Sequence, residues 1–457
     1  MRVLTKSCTV RNLTLMAVPC LVAVAVAERP VKGREGAARA THRPETEVTG
    51  LTDLSATTGV TDRPSGTAQE PGRVRGNPDP IRRFLDQQNP GTPCLVMDLA
   101  QVRDRYRHLR TALPDARICY AVKANPTPEV VGELIAEGAS FDVASPGEID
   151  LVLAKGATPE SISYGNTIKK RRDIARAHEQ GVRLFATDSA ADLTNIAEVA
   201  PGSQVFCRVL VDNTGSRTPF GRKFGCTPEQ AADLLVRADE LGLDACGVSF
   251  HIGSQQLDPA AYRHGIDAAA RVFADCAARG VRPRLVNLGG GLPAGYAGSA
   301  PPLADYVTAI EAALEHAFGP QRPELLIEPG RFLVGDAGVL RSEVVLVTDS
   351  CDGQRRWVYL DIGRYNGLAE TEGEAIAYRL RTSRDGDEGG PVVLAGPTCD
   401  GDDVLYQRTH YELPRTLRGG DWVDLLSAGA YTASYSSVGF NGFTPLPTYC
   451  VDGDQRP

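Results

Sequence analysis

The 457-residue chain has no Phe, Trp or Tyr before Phe84. Residues 33–80 are instead rich in Gly, Pro, Thr, Ser and charge, so residues 1–80 lack the material for a core and are expected to form a disordered leader. Long apolar runs are equally scarce. Residues 13–27 follow Arg2, Lys6 and Arg11 and end Ala25-Val26-Ala27; they resemble a secretory signal yet are too short for a stable membrane span. The eleven cysteines form no CxxC pair and no Cys/His ligand spacing, which argues against a structural metal, and an odd scatter of thiols suits a reducing, cytoplasmic compartment. The leader therefore reads as an export signal, a tolerated extension or a start-site artefact, and the thiols favour a cytoplasmic protein over an exported one. Basic charge is short outside the leader: residues 1–83 hold 13 Lys and Arg against 8 Asp and Glu, a net of +5 in a chain of net charge −8, which leaves −13 for the rest. An acidic body argues against nucleic acid and suits a cationic small molecule.

Eight short, β-branched or apolar runs are present, at residues 117–124, 140–145, 161–166, 182–188, 205–211, 245–253, 284–291 and 325–330. Stretches with apolar residues at three- and four-residue spacing lie between them, at 129–137, 169–180, 228–241, 262–279 and 303–318. Eight strand-then-helix units predict an α/β protein built on a (β/α)8 TIM barrel, whose chemistry sits at the C-terminal ends of the strands. Beyond it, 339–347, 356–361, 391–395, 404–411 and 422–426 read as strands of a second, C-terminal β-rich domain.

The barrel runs end in chemically apt residues. The first delivers Lys123 from Tyr120-Ala121-Val122-Lys123-Ala124-Asn125, where partial desolvation would lower the amine's pKa for attack on an aldehyde. The sixth supplies His251 and Ser254. The seventh ends Gly289-Gly290-Gly291, whose backbone N–H groups can approach an anion closely. The eighth ends Glu328-Pro329-Gly330-Arg331, a carboxylate suited to a pyridinium and a guanidinium suited to phosphate.

Together with Phe-Asp-Val-Ala-Ser (141–145), Gly-Pro-Thr-Cys-Asp (396–400) and Gly-Ala-Tyr-Thr (429–432), these motifs resemble the fold-type III pyridoxal-phosphate decarboxylases, above all the bacterial ornithine and lysine/ornithine enzymes. The resemblance covers about 81–449. It implies an alanine-racemase-like barrel at 99–335, a β-domain at 336–457 joined by 81–98, and a homodimer with shared active sites. It further implies a Schiff base on Lys123, His251 stacked on pyridoxal 5'-phosphate, Asp142, Glu148 and Arg208 lining the cofactor, and Glu328 on the pyridine nitrogen. Ser254, Gly289, Gly290, Gly291, Gly330, Arg331 and Tyr431 would surround the phosphate. Cys399, as proton donor, and Asp400, as partner of a distal ammonium, would come from the other subunit. In the acidic run Glu370-Thr371-Glu372-Gly373-Glu374, ungapped counting makes Glu374 a second substrate contact. The implied reaction is decarboxylation of a small amino-acid substrate, L-ornithine to putrescine for polyamine synthesis. Lysine, diaminopimelate and a catalytically silent regulatory homologue are the alternatives. Asn287 departs from the aspartate of animal ornithine decarboxylases.

Overall fold

The computed structural model describes residues 79–351 and 353–453; the leader, with its signal-like stretch, lies outside the described residues. Eight strands, Ala116–Ala121, Ser140–Val143, Ile162–Tyr164, Leu184–Thr187, Gln204–Arg208, Asp244–Ser249, Leu285–Asn287 and Glu324–Ile327, pair in parallel and close into a barrel. Closure is made by Ile327 opposite Ile118. Strands covered on both faces need apolar side chains in both directions, which is why these runs read as nearly continuous rather than alternating. The inward set, Cys119, Leu184, Ala186, Phe206, Cys246, Leu285 and Leu326, packs as its own cluster and plugs the lower barrel. A groove at that lower mouth, lined by Asp115, Arg117, Gln204, Arg284 and Glu324, is at the wrong end of the strands for barrel chemistry.

Helix starts are fixed locally. Pro128, Pro146 and Pro228 open their helices, while Ser145, Ser189 and Thr227, the last in a capping box with Gln230, supply side-chain acceptors for orphan N–H groups at the starts of three of the barrel helices.

Several barrel strands stop earlier than their apolar runs. The first passes into a 3-10 turn at Val122–Ala124, the sixth ends at Ser249 and the seventh at Asn287. Past the rim, glycines take over: Gly253, Gly289 and Gly291 have φ of 90°, 65° and 116°, values open to Gly at little cost. Ser254–Gln256 then pairs with Ser216–Thr218 in a small ribbon over the mouth.

The second sheet orders Arg379–Thr382, Trp422–Leu426, Gly338–Asp349, Arg356–Leu360, Gly389–Ala395 and Val404–Pro414 side by side. Cys94–Asp98 joins it, antiparallel to Gly338–Asp349 with Val96 opposite Val339, and Thr448–Val451 lies beyond. Arg379–Thr382 gave no apolar signal because its charge is matched across the sheet: Asp424, fully buried, takes Arg341 in a fork at 2.7 and 3.0 Å and Arg381 at 2.8 Å.

Candidate active site

Lys123 Nζ lies 2.7 Å from Asp142 Oδ2, which the neighbouring strand holds 5% exposed, while the lysine side chain is 43% exposed toward the barrel mouth. The expectation of a lowered amine pKa is overturned. Burial does push it down, but Asp142, with Tyr431 and Glu328, outweighs burial and holds the ammonium well above the ordinary lysine value. Glu148, in the first turn of the helix Pro146–Ala154, accepts the Ala144 N–H at 2.7 Å; burial raises its pKa.

Glu328 and His251 complete the floor. Burial, reinforced by Asp142, raises Glu328 to about 7 against the pull of Lys123, Asn287 and Arg208. His251 is pushed well below its usual pKa by burial, then by Arg208 and Lys123. The Gly253 N–H donates to its Nδ1 at 3.1 Å, so the ring is neutral with its proton on Nε2. Phe220 meets it edge-on, with centroids 4.5 Å apart. Arg208 is also driven down by burial and sits over the rings of Phe220 and Phe224 at 5.8 and 5.1 Å.

The anion cradle lies beside this floor. No acceptor among the described residues takes the N–H groups of Gly290 and Gly291, and a side chain there would collide: a Cβ on Gly290 would stand 2.7 Å from Glu328 O and 3.0 Å from His251 Nε2, and one on Gly291 2.8 Å from Gly253 O. A Cβ on Gly165 would lie 2.1 Å from Asp142 Oδ1, so the third strand also ends bare where a flat ring needs room. Tyr431 is brought in by backbone pairing, its N–H donating to Ala124 O at 2.7 Å with φ at 65°, while Asn125 Nδ2 holds Gly429 O at 2.8 Å. Gly330 opens the short helix Arg331–Val334, its absent Cβ leaving room for Ala124. Unfilled N–H groups, a neutral flat imidazole, an acid set for a ring nitrogen and a lysine on one rim fit pyridoxal phosphate.

Arg331 is more committed than the sequence suggested. It is 3% exposed, and its five N–H bonds go to Ser254 Oγ from Nε and Nη2 (3.2 and 3.0 Å), Tyr296 OH (2.7 Å) and both oxygens of Glu370 (2.8 and 2.6 Å). Glu370 and Tyr296 were missed. The acidic run pointed at the right segment, but to the wrong carboxylate, and Tyr296 had no local signal.

Glu374 stands elsewhere, which corrects its assignment as a substrate contact. Its carboxylate accepts the N–H groups of Gln407, Arg408 and Thr409 at 2.9, 2.8 and 2.6 Å, donors left over where the ladder between Gly389–Ala395 and Val404–Pro414 shifts register. Cys399 is exposed, with Asn441 Nδ2 donating to its Sγ at 3.1 Å, and Asp400 accepts the Asp402 N–H at 2.8 Å. No hydrogen bond or ion pair among the described residues links either to the Lys123 cluster. Their loop is shaped by buried Asp403, which takes the N–H groups of Arg364 and Thr398 at 2.8 and 3.1 Å. No helix among the described residues is long and apolar enough to cross a membrane, and none of their His, Cys, Asp and Glu side chains cluster as a metal site.

Residues 99–335 match the model for the pyridoxal-binding domain of the pyridoxal-dependent decarboxylases. The chain is 35% identical to a lysine/ornithine decarboxylase of Selenomonas ruminantium over 78% of this chain and 89% of the relative. It is 34% identical to a chloroplastic ornithine decarboxylase of Nicotiana glauca over 78% and 83%. A lysine/ornithine decarboxylase of Vibrio vulnificus solved with cadaverine superimposes with a TM-score of 0.73 at 32% identity, covering 81% of this chain and 97% of that one. A bare-ended barrel rim, a lysine in the turn that follows its first strand and sequence kinship across both domains agree: the chain belongs to the pyridoxal-dependent decarboxylase family.

Proposed function

We propose that the protein decarboxylates a basic amino acid with pyridoxal phosphate, L-ornithine to putrescine being the favoured reaction and lysine the second reading. The observation that carries this is the convergence of Lys123, Asp142, His251 and Glu328 from four different barrel strands beside an unfilled glycine cradle. Pyridoxal phosphate, when bound, supplies the electron sink that allows an α-amino acid to lose its carboxylate as carbon dioxide. Lys123 would hold the cofactor's aldehyde carbon and pass its proton to Asp142. His251 would cover one ring face, and Glu328 would keep a proton on the ring nitrogen. Ser254, Tyr431 and the N–H groups of Gly290 and Gly291 would hold the phosphate, with Arg331 behind Ser254.

Cys399 would return a proton to the α-carbon, and Asp400 would meet the distal ammonium, both from a second copy of the chain. Exposure supports this assembly: Tyr435, Val438 and Phe440 are 58%, 79% and 40% exposed, and Phe440 leans on Tyr365, whose hydroxyl pairs with Asp400. An apolar rim around a thiol and a carboxylate is a surface to be covered. The intact lysine, histidine and acid disfavour a silent regulatory homologue, and a lone carboxylate at Asp400 disfavours the ammonium-carboxylate end of diaminopimelate. A reducing, cytoplasmic setting suits the nine free thiols among the described residues.

Steady-state rates on ornithine, lysine, arginine and diaminopimelate test the substrate. Asp400→Ala should lose about 2–5 kcal/mol of transition-state stabilisation on the best of them and almost none on an analogue without the distal amine. Equal losses on both would end the case for a basic amino acid.

A further inference from the structure

Asn287 ends the seventh barrel strand fully buried, beside the acid on the eighth. Its Oδ1 accepts the Gly289 N–H at 2.9 Å. A backbone N–H can only donate, so this contact fixes which end of the amide is oxygen and turns Nδ2 toward Glu328, where it donates to Oε1 at 2.6 Å. The amide has no freedom to reverse: the Gly289 turn that supplies the N–H has φ of 65°, and a Cβ there would strike Phe250 O at 2.1 Å, so Gly289 is itself locked in place. A donor aimed at one carboxyl oxygen favours the ionised acid and leaves the other oxygen for a partner. The charged and titratable groups facing Glu328 from the other strands are Asp142, Lys123, Arg208 and Cys119. Asp142 opposes its ionisation; Lys123 and Arg208 assist it, but Lys123 is to be committed to the cofactor. Asn287 is the neutral donor that stays.

We propose that Asn287 is a positioning residue that holds Glu328 ionised and in one rotamer toward the pyridine nitrogen. The inference rests on the reading that pyridoxal phosphate binds with its ring nitrogen at Glu328. Asn287→Asp is the sharpest probe, being nearly isosteric while placing a second carboxyl oxygen at hydrogen-bond distance from the first. Two such groups cannot both be charged and share one proton as a coupled pair. Asn287→Ala removes the donor without adding an acid.

The test loads each protein with pyridoxal phosphate carrying 15N in the ring and follows the ring-nitrogen NMR shift from pH 6 to 9, alongside kcat against pH. Because protonated ring nitrogen requires ionised Glu328, raising the acid's pKa moves the acid limb of the kcat profile to higher pH. For Asn287→Asp the limb should rise by on the order of one pH unit or more, with the ring nitrogen losing its proton signature in step. Asn287→Ala should move both in the same direction by less. Pyridoxal phosphate affinity should change only a few-fold in Asn287→Asp, since Lys123 is untouched and the aspartate keeps an oxygen to accept the Gly289 N–H that holds the cradle turn. Unmoved profiles and unmoved 15N shifts overturn the proposal, and if Asn287→Asp fails to fold, Asn287→Ala alone decides it. Failure of the unaltered protein to bind the cofactor, or a ring nitrogen unprotonated throughout, would instead overturn the reading of the site.

Discussion

Glu370→Gln is expected to destabilise the cofactor-free protein far more than the loaded one. The variant keeps the side-chain volume and one acceptor oxygen but leaves Arg331, 3% exposed, without the counter-charge that now takes two of its N–H bonds at 2.6 and 2.8 Å. Removing one partner of a buried pair costs about 3–5 kcal/mol, and the retained oxygen puts this case near 3. For a protein of this size the unfolding entropy at the midpoint is about 0.8 kcal/mol per kelvin, so Tm should fall by about 4 °C. Phosphate brings negative charge to the same guanidinium. With the cofactor or inorganic phosphate held at 100 times the Kd of the unaltered protein, binding adds about 2.7 kcal/mol to that protein, and at the same concentration the gain should be larger in the variant, whose orphaned charge regains a partner and so binds the anion more tightly. Calorimetric scans of stripped protein, with and without saturating phosphate, decide it. An equal drop in Tm in both conditions would refute the reasoning, because Glu370 and phosphate would then not act on a common cation. A second arm replaces Arg331 as well: Glu370→Gln with Arg331→Met should lose less than the sum of the two single changes.

Lys123→Ala should abolish turnover and the visible absorbance of lysine-bound cofactor, and borohydride reduction followed by peptide mapping should label Lys123; a label on another lysine would remove it from its role. Lys123→Ala and Cys399→Ala proteins, each inactive, should regain activity when mixed and allowed to exchange subunits, since one intact site forms per heterodimer; proven exchange without recovery would place the whole site in one chain. Glu374, which burial alone would raise, is held near pKa 2 by the N–H groups of residues 407–409 and the Thr409 hydroxyl. A depressed folded pKa gives stability that is complete above the ordinary glutamate value of about 4.3 and is lost as pH falls toward 2, so acid-unfolding curves of Glu374→Gln should lack that part of the decline.

Lys123, His251, the triple glycine and Glu328 were legible because each closes an apolar run, so one local pattern supplied both the strand and its functional tip. Glu370 and Asn287 matter through partners 39 and 41 residues away, and no spacing along the chain reports that closeness. The Glu370–Glu374 run shows the limit well: composition identified an acidic segment, but Gly373 and Glu374 have φ of 60° and 58°, which reverses the chain and sends one carboxylate to Arg331 and the other to a bulged strand. Arg379–Thr382 and Thr448–Val451 escaped for a related reason, their places in the sheet being set by cross-strand partners rather than by an apolar run.

The strand Cys94–Asp98 is buried at every position, yet its antiparallel partner begins at Gly338, some 240 residues later. As an open loop, that span would cost about 5 kcal/mol of closure entropy; once the barrel has formed, the two ends already meet, with the Asp98 N–H donating to Ala337 O at 2.8 Å. The intervening domain therefore works as a clasp, and the order of assembly is set by it: amides of the barrel strands should gain exchange protection during refolding before those of Leu95 and Val96. A chain that has brought the eighth barrel strand, but not yet Gly338–Asp349, clear of the ribosome would carry a closed barrel and a bare apolar strand, a species that chaperones should recognise and the complete protein should not present.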